Sequence, residues 1–145
     1  MARVTVSREM PVPAARVWEA LADLESHPAW MRDARSVEFL GPQRRGVGTR
    51  FQVETRVGPF RTLDVLEVME WDEGRAIEVA HRGTIGGHGR VAVAGSESRA
   101  RVTWAERLEV PWRLGGAPVA WVVVLVLAAV WRGNLRRLER RLTSP

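Results

Sequence analysis

One carboxylate in the sequence, that of Glu106, has a position that suits acid–base chemistry. Glu106 lies in a run, Arg99–Val110, in which apolar and polar residues alternate, and it shares a face with Trp104 and Leu108. A carboxylate on an otherwise apolar face must be paired or protonated, so Glu106 is a candidate general acid or base. The structural alternative, which we favour, is a salt bridge with an arginine such as Arg132.

One imidazole stands in a comparable position. Alternation places His81 beside Ile77 and Val79 on one face of another predicted strand, where it could exchange protons or orient a ligand hydroxyl. The competing interpretation is a partly exposed histidine at a strand end. His27 and His88 fall in predicted loops, and no pair of histidines has the spacing of metal ligands. The chain has no cysteine, which excludes cysteine-ligated zinc and iron–sulfur sites. We predict neither a metal site nor a cofactor.

The glycine-rich stretch Gly83–Gly89 could resemble a phosphate-binding loop. It lacks the GxxxxGK[ST] pattern and does not lead from a strand into a helix, so we interpret it as a flexible hairpin. No Ser–His–Asp or Cys–His set offers nucleophilic catalysis.

The elements that must position these side chains follow from apolar periodicity. A two-residue period predicts a first strand at Arg3–Arg8, and three- to four-residue spacing predicts an amphipathic helix at Pro13–Leu24 and a short helix at Leu24–Met31. The segment Pro118–Leu142 has helical length, with arginines near its end. Six further strands are predicted at Ser36–Leu40, Thr49–Val57, Phe60–Trp71, Ala76–Arg82, Gly89–Ala94 and Arg99–Val110.

Short separators join these strands, among them Gly58-Pro59 and Gly86-Gly87. Parallel strands would need crossovers of a dozen or more residues, so an antiparallel meander is predicted. The length favours one domain spanning residues 1–145, of the α+β class.

The run Val119–Trp131 contains thirteen consecutive apolar residues. A membrane span needs about twenty, so we predict a core helix whose first half is buried nearly all round. Contact of its arginine-rich end with a membrane surface is the alternative.

The positive charge is concentrated in one place. All 22 basic residues are arginine, and Trp131–Pro145 holds five arginines against one glutamate, which leaves the rest of the chain nearly neutral. A nucleic-acid-binding domain usually carries a basic stripe on its folded face, so we predict no nucleic-acid partner. The start of the sequence does not resemble a secretory signal, so a cytoplasmic location is expected.

Several stretches resemble a known family, the bacterial polyketide cyclase/dehydrase and lipid-transport proteins of the START/Bet v 1-like superfamily. They are Pro11–Leu21, Asp23, His27–Trp30, Gly46–Thr49 and Asn134–Leu138. The resemblance implies a helix-grip fold, in which a curved antiparallel sheet of about seven strands wraps around the long C-terminal helix and leaves a cavity. It also places Trp30 and Met31 at the cavity mouth, where core packing is the alternative role.

The alternation of apolar and polar residues in the strands and the spacing in the helix together predict which residues would line this cavity. We predict ligand contacts at Trp30, Met31, Phe51, Val53, Val79, Trp104, Trp121, Leu125 and Ala128.

Three functions follow as hypotheses. The first is binding or transport of a hydrophobic small molecule such as a lipid, isoprenoid or polyketide-like compound. The second is a cyclase or dehydratase that uses Glu106 and His81 as acid and base. The absence of tyrosine counts against it, because the family's aromatic cyclases are associated with cavity arginine and tyrosine side chains. The third is an interaction module whose basic helix docks a partner or a second copy, as in a homodimer.

Overall fold

The computed structural model describes residues 2–83, 86–109 and 112–145, and in these ranges seven strands form one curved antiparallel sheet. The strand order is β1-β7-β6-β5-β4-β3-β2, so every neighbouring pair except β1–β7 is consecutive in the chain. The predicted helix-grip fold and its meander are confirmed. The strands are β1 (Ala2–Met10), β2 (Ala34–Phe39), β3 (Arg50–Val57), β4 (Phe60–Asp72), β5 (Ala76–Arg82), β6 (Gly86–Gly95) and β7 (Ala100–Glu109).

Among the described residues, two α-helices accompany the sheet. Helix α1 (Ala14–Ala22) begins after Pro13 and buries Val17, Trp18 and Leu21. Helix α2 (Gly116–Thr143) begins two residues before the predicted start, after Gly115, whose φ of 116° suits glycine. Two short 3-10 helices, Leu24–Ala29 and Trp112–Leu114, precede β2 and α2 respectively.

The second half of α2 is the part that packs into the core. Ala128, Trp131, Leu135 and Leu138 are buried, and the helix lies mainly against β1. The rings of Trp131 and Trp104 on β7 stack with planes 7° apart and centroids separated by 4.9 Å. This contact fixes which face of the sheet lies toward the helix, and we call it the inner face.

The first half of α2 contradicts the predicted all-round burial. Trp121 is 71% exposed and Leu125 is 59% exposed, whereas Val124 and Leu127 are half-buried against the core. A single sheet covers one side of a helix, and no described residue buries the opposite side. By length and composition α2 could cross a membrane, and only 17% of its most apolar window is buried.

The glycine-rich segment also differs from its prediction. Gly86, Gly87 and Gly89 belong to β6 and pair with β5, β7 or both, so they are not hairpin residues. Their small size has a consequence at the site described next. His88, predicted to lie in a loop, also belongs to β6, and Gly83 follows the end of β5. Residues 84–85 of the predicted hairpin and residue 110, the predicted end of the last strand, lie outside the described residues.

Candidate functional site

His81 and Glu106 meet on the inner face of the sheet. The Nε2 atom of His81 lies 2.8 Å from Oε2 of Glu106, and the Nε1–H group of Trp104 donates to Oε1 of Glu106 at 3.2 Å. Glu106 is only 6% exposed among apolar neighbours, whereas the His81 side chain is 18% exposed. The carboxylate is therefore held by two donors, and the imidazole is the more accessible member of the pair.

The contact spans an intervening strand. His81 is on β5 and Glu106 is on β7, and adjacent strands lie about 4.8 Å apart. Between them, β6 places Gly87 beside His81 and Gly89 beside Glu106. Because Gly89 has no side chain, the carboxylate of Glu106 can lie above β6 and reach the imidazole.

The charges around His81 determine its protonation. Burial lowers the pKa of His81, but the hydrogen bond and negative charge of Glu106, together with the charge of Asp64, outweigh burial and raise it above 6.5. At neutral pH the protonated fraction is thereby increased, which favours an imidazolium–carboxylate pair. The Oδ2 atom of Asp64 accepts a 2.8 Å hydrogen bond from Thr62, and its buried Oδ1 has no partner among the described residues.

Two sequence interpretations can be compared with this geometry. The structure brings Glu106 and His81 into contact, whereas the sequence analysis paired them only as the acid and base of the enzyme hypothesis. The salt bridge between Glu106 and Arg132 is wrong, because Arg132 is exposed on α2 and the partners of Glu106 are His81 and Trp104. The carboxylate is paired, as the structural alternative required, but with a histidine.

Half-buried apolar side chains surround the pair on the inner face. Val53, Leu66, Val79 and Val91 come from four successive strands, β3 to β6, and pack against the core without being fully covered. Their strand register places them on the same face as His81 and Glu106. We call the part of the curved inner face that these four residues form the inner groove.

The predicted ligand contacts divide into three groups. Val53, Val79 and Met31 are half-buried and remain candidates. Trp30, Phe51, Trp104 and Ala128 are buried in the core, and Trp30 packs edge-to-face on Trp104 with centroids 6.4 Å apart. Trp121 and Leu125 are exposed on the side of α2 that the core leaves uncovered, so their predicted place in the groove is wrong.

Two surface depressions, of about 490 and 460 Å³, lie elsewhere. The first lies between α1 and the end of α2, and the second lies between α1, the 3-10 helix Leu24–Ala29 and the β2–β3 connection. Neither opens between α2 and the inner face. The inner groove is therefore defined by its incompletely covered side chains, and the expected enclosed cavity stays a prediction.

Sequence reasoning missed several residues of this region. Leu66 and Val91 follow the same alternation as Val53 and could have been found by it. Asp64, like Glu106, is a carboxylate among apolar residues, and this pattern could have identified it as a site residue. Gly89 could not be recognised, because its role depends on which residues the strand register places beside it.

Comparison with known protein families agrees with the fold described above. Residues 1–144 match the family described as polyketide cyclase / dehydrase and lipid transport. The chain belongs to this family. No curated protein is significantly similar to it in sequence.

Several solved structures show the same fold as this chain. A protein from Thermus thermophilus is 20% identical, with a TM-score of 0.83 over 97% of this chain and 96% of its own. A START superfamily protein from Mycobacterium smegmatis is 14% identical, with a TM-score of 0.81 over 98% and 97%. The Zhui aromatase/cyclase from a Streptomyces species is 15% identical, with a TM-score of 0.79 over 98% and 96%. The family member described here therefore shares its fold with these three solved structures.

Proposed function

We propose that this family member binds and transports a hydrophobic small molecule, such as a lipid, isoprenoid or polyketide-like compound, in the inner groove. The observation that carries the proposal is the incomplete burial of Val53, Leu66, Val79 and Val91 on the face that packs against α2. Removing apolar surface from water is favourable by about 25 cal/mol per Å². An apolar ligand that covered these side chains would gain that free energy.

His81 supplies a polar contact at the same place. A protonated imidazole has two N–H donors, and one of them is directed to Glu106. The other can donate to a ligand oxygen, such as a carbonyl, hydroxyl or carboxylate, where the ring is accessible. Glu106 would act here as a positioning residue that keeps the imidazole protonated and oriented.

Binding of dansyl-labelled undecanoic acid tests the proposal, because the dansyl emission changes when the probe leaves water. Leu66→Trp would fill the groove and is expected to weaken binding at least about tenfold. Leu63→Trp is the matched control, since Leu63 is exposed and opposes Glu54 on the other face of the same strand. Circular dichroism would check that both variants fold. Equal affinities of these folded variants would count against the groove as the binding site.

The pair also supports a second candidate, a cyclase or dehydratase. In a dehydration, the Glu106 carboxylate would take a proton from the carbon next to a carbonyl while His81 gives its proton to the leaving hydroxyl, which departs as water. Exchange with water, which takes the proton from Glu106 and returns one to the vacant Nδ1 of His81, would restore both groups. Here both would be catalytic residues.

Glu106→Gln separates the two functions. A carrier would keep its affinity for the dansyl probe within a few-fold, and a β-hydroxy thioester would not be turned over by either protein. If the protein is an enzyme, the wild type would dehydrate the thioester. The variant would do so about 10²- to 10⁴-fold more slowly and would still bind the probe. Turnover that persists in Glu106→Gln would exclude the proposed catalytic role.

A further inference from the structure

We propose that the exposed side of the first half of α2 docks onto one leaflet of an anionic membrane. The docking surface, which we call the α2 apolar face, consists of Trp121, Val122, Leu125 and Val126. Their exposed fractions lie between 42% and 71%. Spacings of three and four residues place them on one side of the helix, so they form a continuous patch. This inference rests on the outer side of α2 and does not depend on the inner groove.

The charged residues that follow the α2 apolar face along the helix determine the kind of partner. More than one turn beyond Val126, the same side of the helix continues with three exposed residues, Arg132, Arg136 and Arg140. The 3-10 helix before α2 adds the exposed pair Trp112 and Arg113. Such a combination of exposed tryptophan, apolar side chains and arginine is typical of helices that bind the interface of anionic lipids.

The described part of the chain from residue 112 onward offers little negative charge to balance these arginines. It contains six arginines and one glutamate, Glu139, which forms a salt bridge with Arg8 at 3.1 Å. A second copy of the chain would cover the α2 apolar face but would bring the same excess of arginine. An anionic lipid surface provides both an apolar interior and the opposite charge.

The dimensions of the apolar segment favour one leaflet over a complete span. From Val119 to Arg132 the helix rises about 20 Å, whereas the hydrocarbon core of a bilayer is about 30 Å thick. The second half of α2 is held on the sheet by Trp131, Leu135 and Leu138. The exposed face can therefore enter the acyl region of the near leaflet while the arginines remain among the lipid headgroups.

Co-sedimentation with vesicles tests this proposal. The wild type is expected to bind vesicles with about 30% phosphatidylglycerol at least tenfold more tightly than pure phosphatidylcholine vesicles. Trp121→Ser combined with Leu125→Ser should weaken this binding at least about tenfold. Arg132→Gln combined with Arg136→Gln should weaken it by roughly tenfold or more, and about 0.5 M salt should reduce wild-type binding similarly.

Phe60→Ser combined with Leu63→Ser is the matched control, because these exposed apolar residues lie on β4 rather than α2. This control should bind anionic vesicles like the wild type. Absence of binding, equal binding to neutral vesicles, or a control that loses as much as the α2 variants would overturn the proposal. So would retention on vesicles after an alkaline carbonate wash, which would indicate a span.

Light scattering provides the remaining arm of the test. A dimer that dissociates in the Trp121→Ser, Leu125→Ser variant, without wild-type binding to vesicles, would assign the face to a second copy and overturn membrane docking. A monomeric wild type that binds anionic vesicles would support it.

Discussion

A methyl group on residue 89 would lie 2.4 Å from Oε1 of Glu106, well inside van der Waals contact. Gly89 and Glu106 are register partners on β6 and β7. The carboxylate thus occupies the space that a side chain at position 89 would need. The contact between Glu106 and His81 depends on this glycine as much as on the two charged groups.

Gly89→Ala should therefore displace the carboxylate and separate it from His81. Without that hydrogen bond and nearby charge, the pKa of His81 should fall from its raised value, because burial then dominates. We expect a loss of about 1–3 kcal/mol in the free energy of unfolding. An NMR titration of the His81 ring and urea denaturation would measure the two effects.

Gly86→Ala is the control on the same strand. A Cβ atom there would have Glu109 Oε2 as its nearest atom at 3.5 Å, which is an ordinary contact. Its His81 titration should match that of the wild type. An unchanged titration in Gly89→Ala as well would show that the pair does not need the space above β6.

The pair should also give the protein a pH-dependent stability. Since the pKa of folded His81 is raised above 6.5, its contribution is complete below 6.5 and is lost as the pH rises through the folded value. Glu106→Gln should remove most of this dependence and lower stability by about 1–3 kcal/mol on the acidic side. Urea denaturation between about pH 6 and pH 9 would measure it. Identical pH profiles for wild type and variant would refute the assignment.

His27 should produce the opposite dependence. Burial lowers the pKa of His27, although its 2.8 Å contact with the Leu21 carbonyl and the charge of Asp23 act in the other direction. The folded protein then favours neutral His27, so stability is complete above pH 6.5 and is lost as the pH falls through the lowered value. His27→Gln, which can still donate to Leu21, should flatten the acidic side of the profile. A slope as steep as that of the wild type would contradict this role.

Much of the fold could be predicted because its signals are local. Strict alternation in β7 and the glycine or proline between short strands indicate an antiparallel meander, and β5 was predicted with the bounds that the structure has. The apolar run in α2 identifies a helix, but composition alone does not say how many sides of it the sheet covers. For that reason the exposure of Trp121 and Leu125 was not predicted.

The site was predictable only residue by residue. Alternation assigned His81 and Glu106 each to a face, but their contact requires the register of three strands, which decides that glycines lie between them. The same non-local information excludes Arg132 as the partner of Glu106. The spacing of residues within one short segment does not indicate the distance between elements that are far apart in the chain.

Asn134 is a buried polar residue that should stabilise the junction between α2 and the start of β2. Its Nδ2–H group donates to Asp33 at 2.7 Å, and its Oδ1 accepts from the backbone N–H of Arg32 at 3.1 Å and from Arg137. Asn134→Leu would leave these groups without their partner and should cost about 2–3 kcal/mol. Arg136→Leu, on the exposed side of the helix, should change stability by less than about 0.5 kcal/mol in the same denaturation experiment. Equal effects would mean that the Asn134 contacts contribute little.

Two tryptophans of α2 should differ in their contribution to stability. Trp131 is 5% exposed and stacks on Trp104, so Trp131→Ala should cost about 3–5 kcal/mol through lost burial and the cavity left behind. Trp121→Ala should change stability by less than about 0.5 kcal/mol, because that ring lies largely in solvent. Urea denaturation of both variants compares the two sides of one helix directly. Similar losses at both positions would mean that the first half of α2 is covered, and would remove the basis for a docking face there.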